Sequence, residues 1–501
     1  MPFSLKRNLI ANYVAQFYVM GVGVVMAPVY LSYMGQEAYG LIGFFTVMGA
    51  WFQLLDIGLT PTLVRETARF RGGAIGVNAL RSMLRALELF FGVVSVAGGA
   101  AIVFLARPIA THWLKVEYLP IGEVAWAVAL MGMAIPLRWI SGLYRGVVNG
   151  FERQVWLGGY NITIATLRFV GVIGVFKTLG AAPENFFAYQ LVVAAVELAG
   201  LAVMTYRLVH RGSVARERFS WKPFLANLSF SLTIAFTATV WLALMQTDRM
   251  VLSKTLTLSA YGVFSIAIVA AATVSALGAA LGQAVLPRLT KFVAEGDIAG
   301  MTTLYRNATQ VTCVIAAPVV ATLAFFAEPV LRAWTGKPFI AHQAAPILCL
   351  YVIGNGWVSL CAFPYYLQYA KGNLRLHLIG NLIQILLVVP VIFLVAKKFG
   401  PVGTGAVWAL SNGLYFLIYV PIVHGRFLPG NHWKWVLRDI LPIVLPVTLG
   451  GWLLFSVLSW PSSRLMTLAE AVGVGTLLLA IAGMGSALIR ARLRGLFAST
   501  T

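Results

Sequence analysis

The sequence predicts an all-α polytopic membrane protein with about fourteen transmembrane helices, and two observations lead to this fold class. Of the 501 residues, 60% are hydrophobic and only 11% are charged, and the mean hydropathy is +0.85. Such a composition excludes a soluble domain. In addition, apolar runs long enough to cross a hydrocarbon core about 30 Å thick follow one another along the chain, separated by short and mostly basic segments.

The predicted helices follow from these apolar runs in chain order. The first run begins after Lys6 and Arg7, continues to about Tyr33 and lacks a small-residue cleavage site, so we interpret it as a retained helix and not as a signal peptide. The gaps between runs are too short for a nucleotide-hydrolysing domain, and no P-loop motif occurs. The fourteen predicted spans are 10–33, 38–63, 84–105, 121–142, 155–176, 187–207, 224–247, 258–282, 304–326, 340–365, 377–396, 402–424, 440–459 and 467–489.

The second span indicates the orientation of the chain. Between residues 38 and 63 the only ionisable residue is Asp56, and a helix of that length rises roughly 39 Å, enough for a tilted crossing. Arg65, Arg69 and Arg71 follow it directly. Because short loops rich in Lys and Arg stay in the cytoplasm, this exit is predicted to be cytoplasmic. With an even number of spans, both termini are then expected in the cytoplasm.

The sequence also contains an internal repeat. The tripeptide Ala-Tyr-Gly at 38–40 recurs at 260–262, an offset of 222 residues. The same offset relates Tyr144, Gly150 and Arg153 to Tyr366, Gly372 and Arg375, and an offset of 221 relates FLARPIATHW at 104–113 to FFAEPVLRAW at 325–334. A nearly constant offset at three separate places indicates a duplicated unit of about 220 residues, far longer than a solenoid repeat.

The repeat predicts the domain organisation. Residues 1–210 form a first lobe of six helices, 211–223 a basic cytoplasmic linker, and 224–426 a second lobe of six helices. Residues 427–501 hold two further helices and a basic tail. Because six is even, the two lobes are expected to be parallel repeats related by an axis along the membrane normal.

The formal net charge of +21 suggests nucleic acid as a partner, but the distribution of charge argues against it. Most of the Lys and Arg residues lie in the loops after even-numbered spans, which is the positive-inside bias, with a secondary attraction to anionic membrane lipids. The three cysteines, Cys313, Cys349 and Cys361, all lie in apolar spans and form no metal or disulfide motif. We therefore expect no nucleic acid, no metal and no cofactor.

Enzymatic activity is not expected either. The chain holds only four Asp, twelve Glu and six His residues, and neither HExxH nor GxSxG occurs. Gly142, Gly146 and Gly150 form a ladder of small residues, which we interpret as a close helix contact.

Ionisable residues inside the predicted spans are the candidate functional residues, because each costs about 2.5–3.5 kcal/mol at a helix centre and usually faces a cavity or a partner. Arg168 and Glu197 fall at similar depths in spans five and six, so they form either a structural ion pair or a substrate-linked or proton-linked pair. The five residues are Asp56, Glu88, Arg138, Arg168 and Glu197.

Two of these five residues, and Asp248 in addition, have simpler explanations. Arg138 lies about one turn from the predicted cytoplasmic end of span four, where its side chain reaches the interface. Glu88 has Arg81 and Arg85 within reach on its own helix. Asp248 precedes Arg249 at the predicted external end of span seven, where adjacent opposite charges are commonly interfacial.

These features together resemble one family. GQEAYGLIGF after span one, LLDIGL late in span two, TDRMVLS after span seven and the second Ala-Tyr-Gly resemble the polysaccharide transporter family. This family comprises the O-antigen-type flippases of lipid-linked oligosaccharides, within the multidrug/oligosaccharidyl-lipid/polysaccharide (MOP) exporter superfamily. The resemblance covers essentially the whole chain.

The resemblance implies a function. It implies a flippase that moves undecaprenyl-diphosphate-linked repeat units across the bacterial cytoplasmic membrane by alternating access of two lobes around a cationic cavity. A polysaccharide polymerase and a chain-length regulator are the implied partners. Arg168 and Arg138 are then the candidates for binding the diphosphate. The candidates for charge balance or ion coupling are Asp56, Glu88, Glu197 and Asp248.

Three alternatives stay open at this point. A multidrug or toxin extrusion antiporter shares the superfamily but typically has twelve spans and acidic residues for cationic substrates. A lipid II flippase shares the fourteen spans and the diphosphate chemistry. A scaffold without transport activity, within a polysaccharide export complex, would tolerate substitution of Arg168 or Asp56.

Overall fold

The computed structural model describes residues 2–56, 58–209, 222–461 and 463–498. These residues are helical apart from short turns and one isolated bridge between Lys115 and Thr257. The backbone contacts divide the chain into two compact units, residues 1–262 and 263–501. The prediction of an all-α polytopic membrane fold is thereby confirmed.

Unit 1 contains nine helices and the start of a tenth among the residues described. A 3₁₀ turn at Leu54–Asp56 and π-helical turns at Ile109–Trp113 and Thr166–Gly171 interrupt the helical segments. The helices are α1 Pro2–Gln53, α2 Leu59–Arg71, α3 Val77–Phe104, α4 Ala106–Pro108, α5 Ile121–Gly150, α6 Gln154–Ala165, α7 Val172–Leu179, α8 Pro183–Val209 and α9 Lys222–Thr255.

Unit 2 is formed by most of α10 and the helices that follow it. Its apolar core is built mainly from α11, α13, α17 and α18 together with the segment around Trp435. Two π-helical turns lie at Tyr415–Tyr419 and Val436–Ile440. The helices are α10 Leu258–Ala294, α11 Ile298–Phe325, α12 Ala327–Thr335, α13 Pro338–Ala370, α14 Arg375–Leu414, α15 Val420–Phe427, α16 His432–Trp435, α17 Leu441–Val457, α18 Arg464–Gly485 and α19 Ala487–Ala498.

The described residues contain eleven segments that are long and apolar enough to cross a membrane. Two of them, Ile10–Asp56 and Arg375–Phe427, are 47 and 53 residues long, enough for two crossings each. Each is bent at a glycine with positive φ, Gly35 (φ 83°) and Gly400 (φ 58°). With α9, which covers the seventh predicted span, helices occupy all fourteen predicted positions.

The predicted second span, 38–63, is not one continuous helix. Helix α1 ends at Gln53, and α2 begins at Leu59 after a residue in the left-handed conformation, Gly58 (φ 70°). A left-handed residue cannot continue a right-handed α-helix, and glycine adopts this conformation at the lowest cost. Asp56 therefore lies in a break between two helices, at the end of the segment Ile10–Asp56, and not within a continuous helix.

Helix α5 is the central helix of unit 1 and packs on α2, α3 and α8. It is eight residues longer at its C-terminal end than the predicted span 121–142. Gly146 and Gly150 lie against α2, where a Cβ atom on Gly150 would be 2.6 Å from the Cβ of Thr67. Apart from the backbone of α5 itself, no atom of the described residues lies within 4 Å of the position of a Cβ on Gly142. The predicted glycine contact thus involves two of the three residues.

One pair of helices repeats between the two units at an offset that the sequence predicts. Helices α3 and α11 are both 28 residues long, and both their ends are related by 221 residues. The turn after α5 and the turn after α13 have the same hydrogen-bond pattern, with Glu152 (φ 55°) and Gly372 (φ 68°) as the left-handed residues. Gly372 therefore corresponds to Glu152, and its predicted match with Gly150 is wrong, because Gly150 still belongs to α5.

The predicted lobe boundaries are untested. The linker predicted at 211–223 lies outside the described residues, except for its last two, which begin α9. The predicted two further helices of the C-terminal segment correspond to α17 and α18.

One polar network is buried in unit 2. Asp439, of which 1% is exposed, accepts hydrogen bonds from Arg306 Nε (2.6 Å) and Nη2 (3.1 Å) and from Gln310 Nε2 (2.7 Å). Gln310 Oε1 in turn accepts from Ser486 Oγ at 2.8 Å. Because each of these groups has a partner, we interpret the network as a connection between α11, the turn before α17 and the residues after α18.

Candidate functional site

Unit 1 contains a cavity of about 480 Å³ between α1, α5, α8 and the π-helical turn that follows α6. Most of its wall is apolar, and four ionisable side chains face it. Its aromatic wall residues are Tyr30, Phe45, Trp139, Phe169 and Phe186, and its charged and amide residues are Gln53, Arg138, Arg145, Arg168, Gln190 and Glu197.

Glu197 bridges two arginines in this cavity. Its Oε1 atom accepts from Arg145 Nη2 at 2.5 Å, and its Oε2 atom accepts from Arg168 Nη2. The side chain of Glu197 is only 5% exposed, whereas those of Arg145 and Arg168 are 43% and 24% exposed. The predicted pairing of Arg168 with Glu197 is thus present, and a second guanidinium shares the same carboxylate.

Arg138 lies beside this pair with neutral partners. Its Nη2 atom donates to Gln190 Oε1 at 2.5 Å, and its guanidinium carbon lies 4.7 Å from the centre of the Phe45 ring, in the range of a cation–π contact. No carboxylate lies within ion-pair distance of Arg138 in the part of the chain that the structure describes. Because α5 continues to Gly150, Arg138 lies in the middle of the helix and not one turn from its end, as predicted.

The cluster carries an excess of positive charge. Arginine stays protonated in proteins, so three guanidiniums and one ionised carboxylate give a net charge of about +2. The Nε atoms of Arg138, Arg145 and Arg168 are all buried and have no hydrogen-bond partner among the described residues. Charged donors that converge on a cavity favour an anion with more than one negative charge, because guanidiniums bind phosphate oxygens through paired hydrogen bonds.

The π-helical turn Thr166–Gly171 holds Arg168 in place. A π turn widens the helix by one residue, leaves carbonyl groups without their usual α-helical partners and is frequent at functional sites. Here neighbouring helices supply the donors: Tyr189 Oη donates to the carbonyl of Leu167 (2.8 Å), Gln190 Nε2 to that of Arg168 (3.1 Å) and Tyr30 Oη to that of Phe169 (2.6 Å). Helices α1 and α8 thus fix the backbone that carries the arginine.

Arg145 is the cavity residue that the sequence analysis missed. It lies seven residues after Arg138, two turns along the same face of α5, but outside the predicted span. The glycine ladder was the available signal, because a helix contact that reaches Gly150 requires α5 to extend past Arg145.

The other predicted site residues, Asp56, Glu88 and Asp248, are not among the residues that line the cavity. Asp56 Oδ1 accepts from the backbone nitrogen (3.1 Å) and the hydroxyl (2.8 Å) of Thr60, as in a helix cap. Glu88 Oε1 accepts from Tyr144 (2.9 Å) and Tyr206 (2.6 Å). Among the described residues, no ion pair joins Glu88 to an arginine.

Asp248 lies within α9, which continues to Thr255, seven residues beyond Asp248. Its Oδ1 atom accepts from the backbone nitrogen of Arg249 at 2.7 Å. Roles of Asp56, Glu88 and Asp248 in charge balance or ion coupling stay predictions. The described residues contain no group of three metal-ligating side chains.

Comparison with solved structures identifies the fold. A lipid II flippase, MurJ, in an inward closed conformation has the same fold, with a TM-score of 0.72, 14% identity and coverage of 94% of this chain and 97% of MurJ. An inward-facing multidrug resistance transporter of the MATE family superposes with a TM-score of 0.67, 13% identity and coverage of 84% and 98%. The chain thus has the fold of these two MOP superfamily transporters.

The sequence comparisons narrow the class to one family. The model of the polysaccharide biosynthesis protein family matches residues 5–293, more than half of the chain. The chain therefore belongs to this family. A putative O-antigen transporter of Shigella flexneri is 20% identical over 416 residues, which cover 80% of this chain and 94% of the relative. The family resemblance expected from the sequence motifs is confirmed.

Proposed function

We propose that this protein is a flippase that moves undecaprenyl-diphosphate-linked oligosaccharide repeat units across the bacterial cytoplasmic membrane for the synthesis of a surface polysaccharide. The observation that carries the proposal is the cavity of unit 1, where Arg138, Arg145 and Arg168 converge with a single carboxylate. A diphosphate diester carries two negative charges, which match the net charge of about +2 of the cluster.

The rest of the cavity wall suits the sugars of such a substrate. The partly exposed ring of Phe169 offers an apolar face to sugar rings, and the exposed amide of Gln53 offers hydrogen bonds to hydroxyl groups. The relative from Shigella flexneri, a putative O-antigen transporter, supports the same class of substrate.

The arrangement in the membrane follows from the same proposal. Residues 1–210 and 224–426 form two lobes joined by the linker 211–223, and they alternate between inward-facing and outward-facing states. Both termini lie in the cytoplasm, next to basic exits such as Arg69 and Arg71. A polysaccharide polymerase and a chain-length regulator receive the product on the outer side.

Drug extrusion fits the cavity less well. An antiporter for cationic drugs needs net negative charge in its binding site, and this cavity has the opposite sign. A lipid II flippase is the second candidate, since MurJ has the same fold and lipid II carries a diphosphate as well. The two flippase functions differ in the glycan that accumulates when the protein is removed.

Deletion of the gene tests the proposal directly. Surface polysaccharide and lipid-linked intermediates are measured in the deletion strain and after complementation with the wild type, Arg168→Gln, Arg138→Gln or the control Arg71→Gln. Arg71 forms an ion pair with Glu152, and both partners are largely exposed, at 38% and 67%. Wild type and Arg71→Gln are expected to restore the glycan, whereas the two cavity variants restore less than about a tenth of it, since each loses a charged contact to phosphate.

Three results contradict the proposal. Unchanged surface glycan in the deletion strain excludes transport of its precursor. Accumulation of lipid II with loss of viability supports the second candidate. Full activity of Arg168→Gln and Arg138→Gln, at protein levels equal to wild type, excludes a cationic binding site and favours a scaffold without transport activity.

A further inference from the structure

We propose that Glu197 is an internal anion that occupies the phosphate site of the arginine cluster in the empty transporter, and that the diphosphate of the substrate displaces it. The inference rests on the proposed function and assigns a specific role to the one acidic residue of the cavity. Glu197 is then a positioning residue that competes with the substrate for the same donors.

The first argument is the way in which Glu197 is bound. Its two carboxylate oxygens go to two different guanidiniums, Oε1 to Arg145 and Oε2 to Arg168. A phosphate group bound by two arginines uses its oxygens in the same bridging manner. The carboxylate thus takes the contacts that a phosphate would make, with one negative charge where the diphosphate has two.

The second argument is access to the donors. The carboxylate is almost fully buried, whereas 43% of the Arg145 side chain and 24% of the Arg168 side chain are exposed, and all three residues line the cavity. An anion in the cavity can therefore reach both guanidiniums while Glu197 is still bound. Displacement does not require the helices to separate first.

The third argument concerns Arg138. This guanidinium has a neutral amide, Gln190, and the ring of Phe45 as partners, and none of the described carboxylates is within ion-pair distance of it. Its charge is uncompensated by a direct contact, so it is the place where an incoming diphosphate binds first. The diphosphate then replaces Glu197 as the hydrogen-bond partner of Arg168 and Arg145.

The fourth argument is the need for an anion in the empty cavity. Three arginines without a counter-ion in a partly buried site repel one another and lose the solvation that they would have in water. Glu197 relieves this repulsion between transport cycles. Glu197 also favours product release, because its carboxylate binds the two arginines again when the diphosphate dissociates.

A purely structural role for Glu197 predicts the opposite result in a binding experiment. If the carboxylate only holds the arginines in position, its removal disorders the site and weakens anion binding. If it competes with the substrate, its removal strengthens binding. The sign of the change in affinity therefore distinguishes the two roles.

The test measures binding of inorganic pyrophosphate to the purified full-length protein in detergent by isothermal titration calorimetry. Glu197→Gln keeps the size of the side chain and removes its charge, and its dissociation constant is expected to fall by about tenfold or more. Glu197→Asp keeps the charge on a shorter side chain. Its dissociation constant should lie between those of Glu197→Gln and wild type. Arg138→Gln should raise the dissociation constant by about tenfold, and the control Glu152→Gln should leave it unchanged.

A second readout uses transport. Complementation with Glu197→Gln is expected to give less surface glycan than wild type at equal protein level, because tighter binding slows release. An affinity of Glu197→Gln for pyrophosphate that is equal to or weaker than that of wild type overturns the inference, as does an absence of binding to both proteins. The proposed function is judged separately, by the glycan and lipid-linked intermediates of the deletion strain.

Discussion

The contact between α5 and α2 permits a graded test of the helix packing in unit 1. Gly142, Gly146 and Gly150 lie at successive turns of α5 but meet different surroundings. A Cβ atom on Gly142 would have open space, and one on Gly146 would lie 3.1 Å from the Cγ2 atom of Thr60. Substitution of each glycine by alanine adds the same methyl group in three different environments.

The expected magnitudes follow from these distances. At Gly150 the methyl group would lie 2.6 Å from the Cβ of Thr67 and 2.8 Å from the carbonyl oxygen of Val64, so backbone must move, at a cost of about 1–3 kcal/mol. Alanine favours a helix over glycine by about 1 kcal/mol. Gly150→Ala should therefore destabilise the protein by up to about 2 kcal/mol, whereas Gly142→Ala should stabilise it by up to about 1 kcal/mol. Gly146→Ala should lie between them.

The assay is thermal unfolding of the purified variants in detergent, followed as the fraction of monodisperse protein on size exclusion after heating. Gly142→Ala is expected to have the highest Tm, Gly146→Ala an intermediate Tm and Gly150→Ala the lowest. Equal Tm values for the three variants, or the lowest value for Gly142→Ala, would refute the contact between α5 and α2 as described.

The remaining predictions concern two acidic residues outside the cavity. Asp56→Ala removes the cap at the start of α2 and should reduce the free energy of unfolding by about 0.5–2 kcal/mol. Asp56→Asn can still accept hydrogen bonds from Thr60 and should reduce the free energy of unfolding less. Equal reductions for the two variants would contradict the role of Asp56 as a cap. Asp439→Ala leaves Arg306 without its carboxylate partner and should cost about 3–5 kcal/mol. The control is Glu295→Gln, which removes the exposed ion pair between Lys291 and Glu295 and should cost less than about 1 kcal/mol. Similar Tm values for Asp439→Ala and Glu295→Gln would show that the buried network contributes little to stability.

Composition and periodicity predict most of this fold because membrane-spanning helices must satisfy their backbone hydrogen bonds internally, and long apolar runs are therefore readable as helices. All fourteen predicted positions are helical for this reason. The interruptions were harder to predict. The break at Gly58 is one example, because glycine is frequent within membrane helices as well as at bends.

The site was predicted in part. Arg168 and Glu197 could be paired from their similar depth in adjacent antiparallel spans, because a buried charge needs a partner. Arg145 could not be assigned in the same way, since its burial depends on how far α5 extends before the turn at Glu152. That end is determined by packing against α2, which involves residues about 80 positions earlier in the chain.

The π-helical turn left no signal that the sequence analysis could use. The segment from Thr166 to Gly171 has no proline and no polar cluster that would mark a wider turn. The turn is stabilised by hydrogen-bond donors on two other helices, namely Tyr30 on α1 and Tyr189 and Gln190 on α8. Such contacts appear only when the tertiary structure is known.

This turn also has a consequence for how relatives of the protein should be aligned. A π turn contains one residue more than the α-helix that it interrupts, so removal of that residue would convert the turn into a regular α-helix and leave the segments on both sides in place. The buried side chains of Val172 and Phe176 would then keep their packing positions, while the side chains within the turn would be rotated about the helix axis. A single-residue gap between 166 and 171 therefore marks relatives that lack the π turn and in which the arginine of this segment points elsewhere.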